Sequence, residues 1–261
     1  MIQTLKKMRQ SWRRFLQDPS VLDTVPKTPQ EIERFIRKVP FVWYQEVLLP
    51  YQLKTPGRDS RKKFEFAGLD QAVRGKTVLD LGCNVGALCF LAEESGASQV
   101  TGIDLDGTLI RAARVLNAIR QNHVEFKPGD ARKALSHFGP KSFDFVFAFA
   151  MLHKMTRCEN QWAILTEAAY AEDLKLQEHM LSTAAQIARE AVYLELTYRV
   201  SHYVRAKENY PAASEVNPAL FVERYTRPNY FKKIEMIGDL QKKDQPAPGG
   251  KMRVIYRCLP H

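Results

Sequence analysis

From Lys76 onward, short apolar runs alternate with longer segments whose apolar positions recur every three or four residues. The short runs predict strands at Thr77–Leu81, Gln99–Asp104, Val124–Lys127, Phe143–Phe149 and Val192–Thr197. The longer segments predict helices at Gly86–Ser95, Gly107–Gln121, Ala131–His137 and Asn160–Arg189, the last broken near Ala171. Strands alternating with helices pair in parallel, with helices on both faces of one sheet. The end of the chain departs from this rhythm. Lys233–Gln241 and Met252–Cys258 both read as strands, and the polar loop between them holds Pro246, Pro248, Gly249 and Gly250. That is a hairpin, so the last strand is expected to be antiparallel.

Ahead of Lys76 the pattern is helical and then broken. Ile2, Leu5, Met8, Trp12 and Phe15 fall on one helix face, widened by Leu16, with Lys6, Lys7, Arg9, Arg13 and Arg14 between them. Asp18-Pro19-Ser20 stops that helix. A second helix is predicted over Pro29–Lys38, with Thr28 as N-cap, Pro29 in the first turn and Pro40 after its end. Trp12 and Phe15 would form a large apolar patch if exposed, so the pair should pack on the main domain. A lid or a partner surface is the alternative. Residues 41–68 read as irregular, because Pro50, Pro56 and Gly57 interrupt any helix. This stretch joins an aromatic run, Phe41-Val42-Trp43-Tyr44, to a basic cluster of Lys54, Arg58, Arg61, Lys62 and Lys63. Such a segment can fold over a site and hold an anionic substrate, or it can be a solvated charge run.

Composition narrows the class. A chain of 261 residues holds one large domain plus an extension. No apolar run approaches the ~20 residues that span a bilayer. The basic segment Met1 to Arg14 lacks the apolar core of a signal peptide. Cys83, Cys89, Cys158 and Cys258 show no ligand spacing, which predicts reduced thiols, no metal site and a cytoplasmic protein. The net charge of +10 favours an anionic partner and leaves RNA open, although no RNA-binding motif accompanies it.

Residues 78–86, Val-Leu-Asp-Leu-Gly-Cys-Asn-Val-Gly, carry the chemistry. An apolar strand ends in a small-residue turn that feeds a helix, the geometry that brings backbone close to a nucleotide-like cofactor. Asp80 sits where a phosphate loop would avoid negative charge, so it suits a cofactor that is positive there; a strand-end or helix-capping acid is the alternative. Asp104 ends the second strand, placed to accept from ribose hydroxyls, as dinucleotide sites also require. Asp106 reads as the N-cap of a helix beginning near Thr108. The dinucleotide fingerprint would read Gly82, Asn84, Ala87 here, so its second glycine is missing. Asn84 tolerates the left-handed backbone the turn needs.

The order of these motifs resembles class I S-adenosylmethionine-dependent methyltransferases, over roughly residues 75–200 and, in outline, the C-terminal hairpin. The resemblance implies an α/β fold: a Rossmann-like seven-stranded sheet with its last strand antiparallel over residues 69–261. Residues 1–68 form an α-helical N-terminal extension that could act as a lid. It implies S-adenosyl-L-methionine as cofactor. Gly82, Cys83, Asn84 and Gly86 would approach the methionine moiety, with Asn84 replacing the family's central glycine, and Asp80 would stabilise the ammonium. Asp104 and Leu105 would serve the ribose end. Asp130 would accept from the adenine amino group and Ala131 would donate to a ring nitrogen, while Asp130 also reads as an N-cap. Phe149 ends the fourth strand beside the reacting methyl group, followed by Met151-Leu152-His153. His153 is then either a general base or a contact without proton transfer.

The family's (Asn/Asp)-Pro-Pro-(Tyr/Phe) and Pro-Cys signatures for two nucleic-acid activities are absent. Glu195 and Thr197 would end the fifth strand beside the site. Acceptor contacts are expected from Trp43, Tyr44, Arg58, Tyr198, Arg199 and Tyr203, and from an insertion over residues 206–228 holding Tyr210, Phe221, Arg224, Tyr225 and Arg227. Trp43-Tyr44, the Gly75–Asp80 approach and Arg253-Val254-Ile255-Tyr256 look more narrowly like the branch containing the tRNA wobble-uridine carboxymethyltransferase. That branch raises tRNA or a carboxylated cofactor. The leading expectation is methyl transfer to an oxygen or nitrogen of a small molecule. RNA modification and a non-catalytic cofactor-binding subunit are the alternatives.

Overall fold

The computed structural model describes residues 19–39, 43–149, 167–199, 218–239 and 251–261. Its strands are β1 (Thr77–Leu81), β2 (Gln99–Asp104), β3 (Glu125–Pro128), β4 (Phe143–Phe149), β5 (Ala188–Arg199), β6 (Phe231–Asp239) and β7 (Lys251–Pro260). They form one seven-stranded sheet in the order β3-β2-β1-β4-β5-β7-β6. β2 pairs with β3, β1 with β4 and β4 with β5 in parallel. β7 runs antiparallel to both β5 and β6, as a hairpin requires. The helices are α1 (Pro29–Lys38), α2 (Arg61–Phe66), α3 (Leu69–Ala72), α4 (Ala87–Glu94), α5 (Gly107–Arg120), α6 (Ala134–Phe138), α7 (Glu167–Ile187) and α8 (Pro218–Tyr225).

The chain divides into two compact units, Met1–Gly75 with Cys83–Gly129, and Lys76–Gly82 with Asp130–His261. In the first, α1 starts as its sequence predicts. Thr28 accepts from the Glu31 N–H at 3.3 Å, and the Glu31 carboxylate accepts from Thr28 N–H at 3.1 Å, a reciprocal capping box. Ile32 and Phe35 of α1 are buried, and Trp43 meets Phe35 edge-on at 5.6 Å. α4 is apolar on every side and buried from Ala87 to Ala92, which makes it an interior helix. α5 buries Ile110, Ala113, Leu116 and Ile119 along one stripe.

In the second unit β4 is buried along most of its length. Phe145, Phe147, Phe149 and Tyr193 form an edge-to-face series across β4 and β5, at 5.6–6.0 Å between ring centres. At the other ends of the strands, Asp144 accepts from Thr77 N–H at 2.8 Å and from Arg189 Nε at 2.8 Å, tying β1, β4 and β5 together.

Beyond shifts of a few residues at other ends, four boundaries differ from expectation for identifiable reasons. Residues 61–66 form α2 rather than irregular chain: Asp59 accepts from the Arg61 N–H at 2.8 Å, and Phe64 supplies the buried anchor. α7 passes through Ala171 unbroken and stops at Ile187. Ala188 and Arg189 already belong to β5, because Lys141 N–H binds Gln186 carbonyl at 2.8 Å and Phe143 registers with Ala188. β5 runs on to Arg199 because β7 pairs with it as far as Lys251. The N-terminal helix expected before Asp18 lies outside the described residues. Among the described residues no helix is long and apolar enough to cross a membrane.

Candidate functional site

The turn after β1 is built by its own amides. Cys83 N–H donates to Ile103 carbonyl at 2.9 Å, Asn84 N–H to Asp104 Oδ2 at 2.9 Å and Val85 N–H to Asn84 Oδ1 at 2.9 Å. Gly86 N–H donates to Cys83 carbonyl at 2.9 Å, and Ala87 N–H to Gln45 Oε1 at 3.2 Å. Five consecutive N–H groups are thereby spent inside the protein. Asn84 holds φ at 55°, the left-handed geometry for which it stands in place of glycine. Gly86, at φ 88°, has a second reason to lack a side chain: a Cβ would lie 2.4 Å from Phe126 Cζ. Gly102 is squeezed likewise, with Cys83 Sγ and Phe126 each 2.9 Å from its notional Cβ.

Asp104 is the organiser of this turn. One oxygen takes Asn84 N–H and the other takes Asp106 N–H at 3.0 Å. The Asp104 carbonyl accepts from Gly129 N–H at 2.9 Å, fixing the end of β3. Asp106 caps α5 by accepting from Thr108 N–H at 2.8 Å, and the helix starts at Gly107. Leu105, between these acids, is 73% exposed, an apolar side chain left open beside the turn. Cys83 is fully buried. Cys83, Asn84, Gly86, Asp104 and Leu105 are thus brought together.

The second unit holds the other predicted ligands. Asp80 is buried on β1 and registers with Phe147 of β4. Gly82 takes φ 72°. Asp130 follows β3, caps the 3-10 turn Ala131–Lys133 through Arg132 N–H at 2.9 Å, and is gripped by the Arg132 guanidinium at 2.6–2.9 Å. That guanidinium holds the Asp130 carboxyl below the usual carboxylate range. Ala131 and Phe149 are buried.

Residues 78–171 match the Methyltransferase domain family. These residues carry a methyltransferase domain, set on a seven-stranded sheet of the Rossmann-like methyltransferase fold. The N-terminal domain of EvdMO1, solved with SAH, resembles this chain at a TM-score of 0.62 and 14% identity, covering 90% of this chain and 98% of that one. The bifunctional kinase-methyltransferase WbdD resembles it at 0.57 and 18% identity, covering 84% of this chain and 44% of that one. Ribosomal protein L11 methyltransferase of Porphyromonas gingivalis is 46% identical over 66 residues, 24% of this chain and 22% of the relative. That of Burkholderia mallei is 53% identical over 47 residues, 18% and 16%. The matched stretches span about a fifth of the length of these curated relatives.

The predicted acceptor residues find different surroundings. Tyr44 and Arg58 meet: the Arg58 guanidinium lies over the Tyr44 ring at 5.1 Å and donates to its hydroxyl at 3.1 Å. Trp43 is buried instead, donating Nε1–H to Ile36 carbonyl at 2.8 Å. Tyr198 and Arg199 are strand residues registered with Met252 and Lys251, and their side chains are outside the described set. His153, Tyr203 and Tyr210 also lie outside the described residues. Glu195 is internal to β5 rather than at its end, fully buried and ion-paired with Arg253. Sequence reasoning missed Gln45, Phe126 and Arg132. Only Arg132, two residues after an acid that caps a turn, carried a local signal.

Proposed function

We propose that the protein transfers the methyl group of S-adenosylmethionine to an oxygen or nitrogen of a small-molecule acceptor. The observation that carries the cofactor part of this reading is the state of the turn: every N–H from Cys83 to Ala87 is committed. A pyrophosphate needs such amides free. A ligand that brings its own ammonium and hydroxyl donors needs acceptors, and each Asp104 carboxylate oxygen has a further lone pair beyond its backbone N–H partner. The residues present therefore fit this cofactor better than a dinucleotide.

When bound, the cofactor supplies a methyl group on a positively charged sulfur. Asp80 is assigned to its ammonium, and Gly82, Cys83, Asn84 and Gly86 to close approach. Asp104 and Leu105 serve the ribose end, Asp130 and Ala131 the adenine, and Phe149 the methyl. Rate enhancement comes chiefly from orientation of the two reactants. His153 is assigned to take the acceptor's proton. Tyr44, with Arg58 stacked on it, offers a planar and cationic surface to the acceptor; Trp43 supports it from the core, and Tyr198, Arg199 and Tyr203 complete the acceptor set. The crystal structure of the EvdMO1 N-terminal domain in the presence of SAH and D-fucose makes a hydroxyl-bearing small molecule the first class to test. The four cysteines, scattered without pairing or ligand spacing, fit a cytoplasmic setting.

A second reading, RNA modification, draws on the +10 charge and the exposed Arg61 and Lys62 of α2. Calorimetry with S-adenosylmethionine is expected to show binding by the intact chain; no binding overturns the cofactor assignment. Methyl-labelled cofactor added to cell extract is expected to label a small molecule. Label in RNA, with tRNA affinity falling steeply with salt, transfers the reading to RNA. Binding without labelling of any fraction points to a non-catalytic subunit.

A further inference from the structure

Helix α4 begins without a cap of its own. Gly86 stands at its N-cap and has no side chain to accept from the first-turn N–H groups. No residue with a Cβ fits there, because Phe126 already fills that space. The turn thus cannot carry the serine, threonine or aspartate that ordinarily closes a helix start.

The acceptor comes from elsewhere in the chain. Gln45, 42 residues upstream, places Oε1 3.2 Å from Ala87 N, and its side chain is buried. The four preceding amides are satisfied by Ile103, Asp104, Asn84 and Cys83, all close to the turn. Gln45 is itself clamped. Its carbonyl accepts from Thr55 Oγ1 at 2.9 Å, and Val47 N–H donates to the same hydroxyl at 2.8 Å. Glu46 N–H binds Arg58 carbonyl at 2.9 Å, and Arg58 N–H binds Tyr44 carbonyl at 3.0 Å. Gly57 passes so near that a Cβ on it would lie 2.3 Å from the Gln45 carbonyl carbon. A backbone fixed on both sides, with one side chain reaching the helix start, transmits position.

We infer that Gln45 is a positioning residue for the cofactor turn: its side-chain carbonyl caps α4 from the N-terminal segment and sets the shape of residues 83–87. The inference rests on reading that turn as the S-adenosylmethionine site. A merely structural glutamine would lower stability when replaced and leave cofactor affinity of the folded protein unchanged.

The test uses the full chain carrying Gln45→Leu or Gln45→Glu, with Gln45→Met if the leucine variant does not fold. Amide hydrogen exchange reads the cap, and calorimetry with S-adenosylmethionine and S-adenosylhomocysteine reads the turn. Gln45→Leu is expected to speed exchange at Ala87 about ten-fold and raise both dissociation constants about ten-fold, ~1.4 kcal/mol. Gln45→Glu keeps an oxygen acceptor and is expected to stay within about three-fold of the unaltered chain. Unchanged exchange at Ala87 in the leucine variant overturns the cap. Faster exchange with unchanged affinity overturns the positioning role. If the unaltered chain binds neither compound, the cofactor reading falls and the role with it, while the exchange data still report the cap.

Discussion

Asp104 ends β2 and Asp130 follows β3, and both head a capped turn, yet their partners differ in kind. Asp104 takes two backbone N–H groups, one on each oxygen. Asp130 takes one backbone N–H and a guanidinium. The first carboxylate shapes the chain around it, because amides donate only where the backbone has been bent to them. The second is neutralised by a side chain two residues away and shapes only its own turn. Sequence reading assigned both to cofactor contacts, and only their partners distinguish the organiser from the locally satisfied acid. Glu195 extends the comparison to full burial: it is 0% exposed and faces Arg253.

The ranking follows from what each removal strands. Replacing Glu195 by alanine leaves Arg253 without its buried counter-charge and is expected to cost about 3–5 kcal/mol. Chemical denaturation reads that loss; a change below about 1 kcal/mol would show that water reaches the Arg253 head group. Asp104→Ala strands the Asn84 N–H in a part-buried turn and is expected to cost about 1–3 kcal/mol. The same variant should lose S-adenosylmethionine binding by calorimetry. Retained binding would move the ribose contact to another residue. Arg132→Ala removes a partly exposed ion pair, so its expected cost is about 0.5–1 kcal/mol at neutral pH.

The smallest effect is in pH. Arg132 holds the Asp130 carboxyl below its ordinary value, so the pair's stabilisation is present above the unfolded value of about 3.9. It fades as pH falls through the lower folded value. The stability gap between the unaltered chain and Arg132→Ala should therefore be constant from neutral pH to about pH 5 and close below about pH 4. Acid unfolding curves that stay parallel to lower pH would break the contrast between the two aspartates.

Local pattern determined a large part of this molecule. The strand at Thr77–Leu81, the capping box at Thr28 and Glu31, the cap at Asp106 and the left-handed turn at Asn84 all follow from neighbours within a few residues. Each is a short-range event, set by backbone geometry and side chains that reach their own main chain. Tertiary structure alone decided which partners the polar groups would find. Gln45 reaches Ala87, Phe126 excludes a side chain at Gly86, and Arg253 neutralises Glu195, across 42, 40 and 58 residues of chain. No periodicity encodes such pairings. They exist because folding buries a polar atom or an occupied volume, and burial requires a partner to be brought from wherever the fold supplies one.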